Sequence, residues 1–150
     1  MASPEPMTSR SVRVASARKL TRRVSRWSER LFLVEGPQAV REALSFRSPS
    51  GEGCVVEVFA TYDAESRHAD LCEAVRGAQT PWHAVAPEAL AGLAETVRPQ
   101  GVVAVCRFVD VPLDDVIAQR PRLVVVCADV RDPGNAGAVI RCADAVGADA

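Results

Sequence analysis

The sequence predicts an α/β fold, with one domain of helices over a sheet and then the opening strand and helix of a second α/β unit. Three observations carry this. Short runs of β-branched and aromatic residues alternate with segments whose apolar residues step by threes and fours, the patterns of strands and amphipathic helices in turn. Residues 109–121 (VDVPLDDVIAQRP) break that alternation with two prolines and an acidic pair, as a linker with a short helix would. Beyond it, residues 122–129 (RLVVVCAD) are nearly continuously apolar, which suits a parallel strand covered on both faces. The expected divisions are a disordered tail over 1–9, a first domain over 10–108, a linker over 109–121 and a second unit over 122–150.

Each element has its local reason. The tail carries Pro4, Pro6 and small polar side chains. Residues 11–27 read as a basic helix or a helix plus turn: Val14, Ala17 and Leu20 step by three, Val24 and Trp27 extend the stripe, and arginines fill the other faces. Residues 31–34 are a short apolar run ending at Glu35-Gly36-Pro37, where Pro37 suits the first turn of a helix over 38–45. Residues 47–53 are a loop by their Pro, Ser and Gly content, and 54–60 a strand. Asp63 is the expected N-cap of a helix running to about Gly77, whose glycine suits the left-handed position past a helix end. Residues 82–86 form a further short strand, 87–94 a short helix, 96–101 a polar turn and 102–108 another apolar strand. Past the linker, the strand over 122–129 turns through 130–134 into a helix from Asn135 to Val146, with Ala136, Val139, Ile140, Ala143 and Val146 on one stripe. One helix cannot cover both sides of such a strand, so an apolar edge that is exposed or mispaired, and a tendency to associate, are expected.

Composition narrows the class. A 150-residue chain that is 48% hydrophobic and 25% charged is ordinary for a folded globular protein, and with aromatics at 5% its core must rest on Val, Leu and Ala. No apolar run approaches the roughly 18 residues that span a bilayer, and no hydrophobic stretch follows the N-terminal charges as in a secretory signal, so no membrane partner is expected. The five cysteines (Cys54, Cys72, Cys106, Cys127, Cys142) are odd in number and lack a C-x-x-C pair; most are expected to be small buried hydrophobes in a reducing, cytoplasmic setting. His68 and His83 do not have zinc-site spacing, and no metal is expected. The net charge of −1 conceals an asymmetry. Residues 1–30 hold Arg10, Arg13, Arg18, Lys19, Arg22, Arg23, Arg26 and Arg30 against Glu5 and Glu29, a net +6 that leaves −7 for the rest. A basic arm on a mildly acidic body is suited to phosphates.

Residues 129–148 (DVRDPGNAGAVIRCADAVGA) carry the chemistry. A strand, a glycine turn and a helix form the unit that places small ligands at strand C-terminal ends. Gly134 and Gly137 allow the backbone to turn tightly, and a helix N-terminus offers free N–H groups to an anion. Asn135 either caps that helix or binds a ligand. There is no G-x-x-x-x-G-K-[ST] and no complete G-x-G-x-x-G, so neither dinucleotide nor P-loop chemistry is indicated.

The segment resembles the first motif of the SpoU (TrmH-like) branch of the SPOUT RNA ribose 2′-O-methyltransferases, an acidic strand end followed by N-x-G-A-x-x-R and a small-residue helix. Asn135, Gly137, Ala138 and Arg141 fall on that pattern. Residues 31–44 (LFLVEGPQAVREAL) and 100–105 (QGVVAV) resemble the N-terminal RNA-binding domain of the same family, in the same order, so the resemblance covers nearly the whole chain. It implies a ribosomal-protein-like α/β RNA-binding domain, as in kink-turn RNA binders. After this comes the first strand–helix of a knotted α/β (SPOUT) methyltransferase domain that binds S-adenosylmethionine and pairs as a homodimer. The second and third motifs of the family, which form the knot and the cofactor pocket, are not in this sequence. No cofactor-binding residue is therefore located, and the 150-residue chain alone is expected to be inactive. The RNA implied is ribosomal ahead of transfer RNA; the alternative is an RNA-binding module without catalysis.

Under this resemblance, the 2′-oxygen displaces a leaving group from a sulfonium methyl carbon, and the protein positions the reactants and helps the hydroxyl lose its proton. The motif arginine, here Arg141, is implied to meet the ribose hydroxyl and its phosphate. A guanidinium with a pKa above ~12 is better cast as a fixed charge on the developing alkoxide than as a base. The alternative for Arg141 is an ion pair with Asp144 or Asp149. Asn135 would orient the arginine or substrate, or simply cap the helix. Arg131 and Asp132 line the same mouth or are loop charges. Arg18, Lys19, Arg22, Arg23, Arg26, Arg30 and Arg131 are the candidate RNA contacts, the first six on or beside a helix that is either solvated only or also touches RNA. Trp27 either stacks a base or closes the helix against the core.

Overall fold

The computed structural model describes residues 5–150; residues 1–4, the head of the expected tail, lie outside the described residues. The chain divides into two compact units, Met1–Val109 and Asp110–Ala150. The first holds α1 (Val12–Lys19), α2 (Arg23–Glu29), β1 (Leu31–Glu35), α3 (Pro37–Ser45), β2 (Val55–Ala60), α4 (Tyr62–Arg67), α5 (Ala69–Gly77), β3 (Trp82–Ala84), α6 (Pro87–Ala91) and β4 (Val102–Arg107). The second holds α7 (Leu113–Ala118) and α8 (Pro133–Ala145).

The sheet order is β1-β4-β2-β3, with β4 antiparallel to both neighbours and β2 parallel to β3. Strand β4 is apolar without a break because both of its faces are covered. Its side chains alternate with the two-residue period of a strand: Val103 and Val105 enter one core, and Val102, Ala104 and Cys106 enter the other. On the first face, Val14 and Ala17 of α1, Leu20 at its end and Ala89 and Leu90 of α6 pack on Phe59. On the second, Val40 of α3, Ala64 of α4 and Leu71 and Val75 of α5 pack on Val58 and Ala60. An isolated eight-residue helix such as α1 would be marginal in water. Burial of a Val or Leu contributes roughly 1.5–3 kcal/mol, so packing rather than propensity holds it in place. Helix α3 begins as expected, with Pro37 in its first turn after Gly36 at φ 93°, and the mixed α/β fold with its small sheet agrees with the expected class.

Several expectations are corrected. Residues 5–9 are not all disordered: Met7 donates its N–H to the Ala84 carbonyl (2.8 Å) and accepts from the Ala86 N–H (2.9 Å), forming a parallel bridge with Val85 at the β3 edge. The single helix expected over 63–77 is two, broken at His68 (φ −126°, ψ 52°). Its cap is Thr61, whose Oγ1 accepts from the Ala64 N–H at 3.2 Å, while Asp63 sits in the first turn and pairs with Arg67 at 2.7 Å. The left-handed residue beyond α5 is Gln79 (φ 53°), not Gly77. The basic segment is a helix, a turn and a second helix, and its apolar stripe ends at Leu20, because the chain turns there and leaves Val24 and Trp27 exposed.

In the second unit the expected strand over 122–129 does not form. Its ladder is limited to Val125 donating to the Ala150 carbonyl (2.8 Å) and Asp149 donating to that of Leu123 (2.9 Å), since a strand exists only through its neighbours. Leu123, Val124, Val126, Ile140 and Val146 are exposed, as the one-helix argument anticipates. The following helix starts at Pro133 rather than Asn135.

Candidate functional site

Two surfaces carry the predicted site residues, one in each unit. In the first, Arg18 and Lys19 end α1, Arg22 sits at the N-cap of α2 and Arg23 opens it. All four are exposed, and among the described residues none has an acidic partner, so their charge is available to an anion. Placement in the last turn of α1 also sets Arg18 and Lys19 against the negative end of its dipole. Arg26 is employed otherwise: its Nη1 donates to the carbonyls of Leu20 (3.1 Å) and Thr21 (2.9 Å) and ties the two helices together. The Arg30 guanidinium lies over the Phe108 ring, 4.4 Å from its centre, and 5.7 Å from the Trp27 ring. Arg13 is spent on Glu57, whose Oε2 meets Arg13 Nη1 at 3.2 Å and His83 Nε2 at 3.0 Å. Trp27 is therefore not part of the core. Its ring meets Phe108 edge-on at 5.7 Å and remains 55% exposed. In the sequence Trp27 is marked as an aromatic among arginines, whereas Phe108, its support, carries no signal beyond the apolar run that it ends.

In the second unit, Asp129 adopts the left-handed region (φ 55°) and its Oδ1 accepts from Arg131 Nε at 2.8 Å. Arg131 is thus held within its own turn. Asp132 is the helix cap, its Oδ1 accepting from the Asn135 N–H at 2.8 Å, with Pro133 in the first turn behind it. This leaves the Asn135 side chain free of the capping duty and exposed. A Cβ on Gly134 would stand 3.0 Å from Asp132 Oδ1, and one on Gly137 3.3 Å from Arg141 Nη1. The small residues of the motif thereby keep the cap tight and give the guanidinium room along the helix. Arg141 is exposed and unpaired among the described residues; the Asp149 carboxylate instead accepts from the N–H groups of Arg122 (2.7 Å) and Leu123 (3.0 Å). Six residues separate Asn135 from Arg141, which sets them roughly 120° apart around the helix. The helix alone does not bring the two together.

Elsewhere in the first unit, a cleft of about 510 Å³ opens beside Thr61, Tyr62, Arg67, Pro87, Leu90 and Gly101, a feature with no sequence signal beyond its prolines. Among the described residues no helix is long and apolar enough to cross a membrane, and no group of three His, Cys, Asp or Glu could hold a metal ion.

A three-layer α/β/α domain with a basic helical arm, followed in the chain by a capped helix carrying N-x-G-A-x-x-R, defines a class: SpoU-type SPOUT proteins with an N-terminal substrate-binding domain. The chain belongs to the MRM3-like substrate binding domain family, whose model matches residues 12–104. It is 32% identical over 143 residues to the Bacillus subtilis 23S rRNA (guanosine(2553)-2′-O)-methyltransferase RlmP, covering 95% of this chain and 51% of that protein. Among solved structures it is similar to an rRNA methyltransferase from Sinorhizobium meliloti (TM-score 0.72, 25% identity, 96% of this chain and 52% of that one). It is also similar to the SpoU methyltransferase AviRb from Streptomyces viridochromogenes in complex with AdoMet (TM-score 0.60, 26% identity, 93% of this chain and 51% of that one). The chain thus spans about half the length of the RlmP relative and of these two structures.

Proposed function

We propose that the protein acts in 2′-O-methylation of RNA ribose, on ribosomal ahead of transfer RNA, with S-adenosylmethionine as the methyl donor. The observation that carries this reading is that the similarity to RlmP runs over 95% of the chain, through the binding domain and into the motif of α8. A binding module alone would not need the second part. Homodimerisation and a cytoplasmic setting belong to the same reading.

The division of labour follows the chemistry of the side chains. Arg18, Lys19, Arg22 and Arg23 supply phosphate affinity that is blind to sequence and falls steeply with salt. Arg141, unpaired and permanently charged, stabilises the oxyanion that develops on the ribose and grips the adjacent phosphate in a fork. The proton leaves through phosphate or water rather than through the guanidinium. Discrimination of RNA from DNA is inherent, because the reacting group is the 2′-hydroxyl. Residues 110–150 do not make a cradle for the donor: none of them is buried, and the Asp132 carboxylate already occupies the N-terminus of α8.

The test is a methyl-transfer assay with the product of the full reading frame, labelled S-adenosylmethionine and total RNA, followed by mapping of modified riboses. Incorporation at discrete 2′-hydroxyls of ribosomal RNA is the expected result; unmodified RNA overturns the reading.

A further inference from the structure

Arg23 and Trp27 stand one turn apart on α2, and Arg30 closes the same helix in the left-handed region (φ 55°). This row contains the largest apolar side chain that the first unit leaves open to solvent, the Trp27 indole at 55% exposure. It is also held in place. The Trp27 ring meets Phe108 at 5.7 Å and 73°, and Phe108 meets Phe32 of β1 at 6.0 Å and 69°, so a chain of edge-on contacts anchors the indole to the sheet. The Arg30 guanidinium braces the stack. An exposed indole costs free energy relative to a buried one, and a rigid ring between two cations presents a fixed π-face in a region of strong positive charge.

We propose that Trp27 is a stacking platform for an unpaired base of the RNA, with the exposed Arg23, one turn away, taking an adjacent phosphate. This rests on the RNA reading above and adds a substrate feature to it: a looped-out or single-stranded nucleotide rather than a continuous duplex. A base inside a duplex has both faces covered by its neighbours, whereas an unpaired one has a face to give, and stacking of this kind tolerates any base. The net +6 of residues 1–30 favours a polyanion as occupant.

The test uses the 150-residue chain, an adenosine-rich single strand and the same strand annealed into a duplex, with binding read by anisotropy and by tryptophan emission. Trp27→Tyr retains a stacking ring and leaves Trp82 as the remaining emitter, so its difference from the unaltered chain isolates the Trp27 signal. The single strand should quench Trp27. Trp27→Ala should lower single-strand affinity about tenfold, duplex affinity less than about twofold, and Trp27→Tyr should keep most of the affinity. Equal losses on both RNAs, or binding with neither quenching nor loss, overturn the platform and leave RNA binding standing. Absence of RNA binding by the unaltered chain at low salt overturns both. Quenching that grows with protein concentration in the absence of RNA assigns the face to a second copy and overturns the platform.

Discussion

Gly101 is the most tightly enclosed of the described glycines. It sits at φ +85°, and a Cβ there would lie 2.7 Å from the Ala64 Cβ and 2.9 Å from Thr61 Oγ1. Gly101→Ala therefore meets a backbone penalty and a steric one together, about 2–4 kcal/mol in sum, read as a lowered denaturant midpoint. The cysteines divide by position rather than by chemistry. Burial, followed by the neighbouring Cys54, pushes the Cys106 thiol up to about 12, and Cys54 and Cys72 are also buried, whereas Cys127 and Cys142 are exposed. A neutral-pH alkylating reagent should label Cys127 and Cys142 in the native chain and all five thiols once it is denatured. Because the folded Cys106 value lies above its ordinary 9.0, its contribution is fully present below about pH 9 and is lost as pH rises toward 12, so alkaline titration should lower stability over that window. Arg141→Ala in the product of the full reading frame should cost roughly 10²–10³ in methyl transfer while RNA affinity changes little, because the arm supplies the phosphate contacts. Equal losses of binding and turnover would reduce Arg141 to a substrate grip.

The element scale is where the caps decide the boundaries. Asp132→Ala should cost about 1 kcal/mol of α8 stability, seen as faster hydrogen exchange in its first turn. Most of the first unit was legible in the sequence because its strands are short runs of β-branched and aromatic residues and α3 declares itself by Gly36-Pro37. What escaped did so for identifiable reasons. Thr61 and Asp63 are both good N-caps, and only packing, with Thr61 buried against Gly101, selects the first. The break at His68 leaves no mark in the spacing, since Ala64, Leu71 and Val75 still fall on one face across it. Val24 and Trp27 continue an apolar spacing across Thr21 and Arg22, where the helix has already ended. At the candidate site, the identity of Arg141 and Asn135 came from the motif, but the capping role passed to Asp132, which sequence spacing places equally well before a helix opened by proline.

At the scale of the whole molecule the two units differ in what holds them. The first has a core on both faces of its sheet, with Val58, Phe59, Ala60, Val102, Val103 and Ala104 inaccessible to solvent, whereas no residue of Asp110–Ala150 is buried. A helix of thirteen residues with one good cap and an exposed Ile140 has little beyond its own hydrogen bonds to resist opening. The chain should therefore not unfold as one cooperative body. In native-state hydrogen exchange, the amides of β2 and β4 should exchange only through global unfolding. Those of 122–128 should exchange orders of magnitude faster, apart from Arg122, Leu123 and Val125, whose N–H groups are engaged by Asp149 and Ala150. The exposed Leu123, Val124, Val126, Ile140 and Val146 give the same region a surface that should make sedimentation concentration-dependent, and substitution of Val126 and Ile140 by serine should reduce that dependence without touching the melting of the first unit. Protection across 122–146 equal to that of β4, in a chain that sediments as a monomer at every concentration, would show that the second unit is stabilised by packing that its exposed side chains do not reveal.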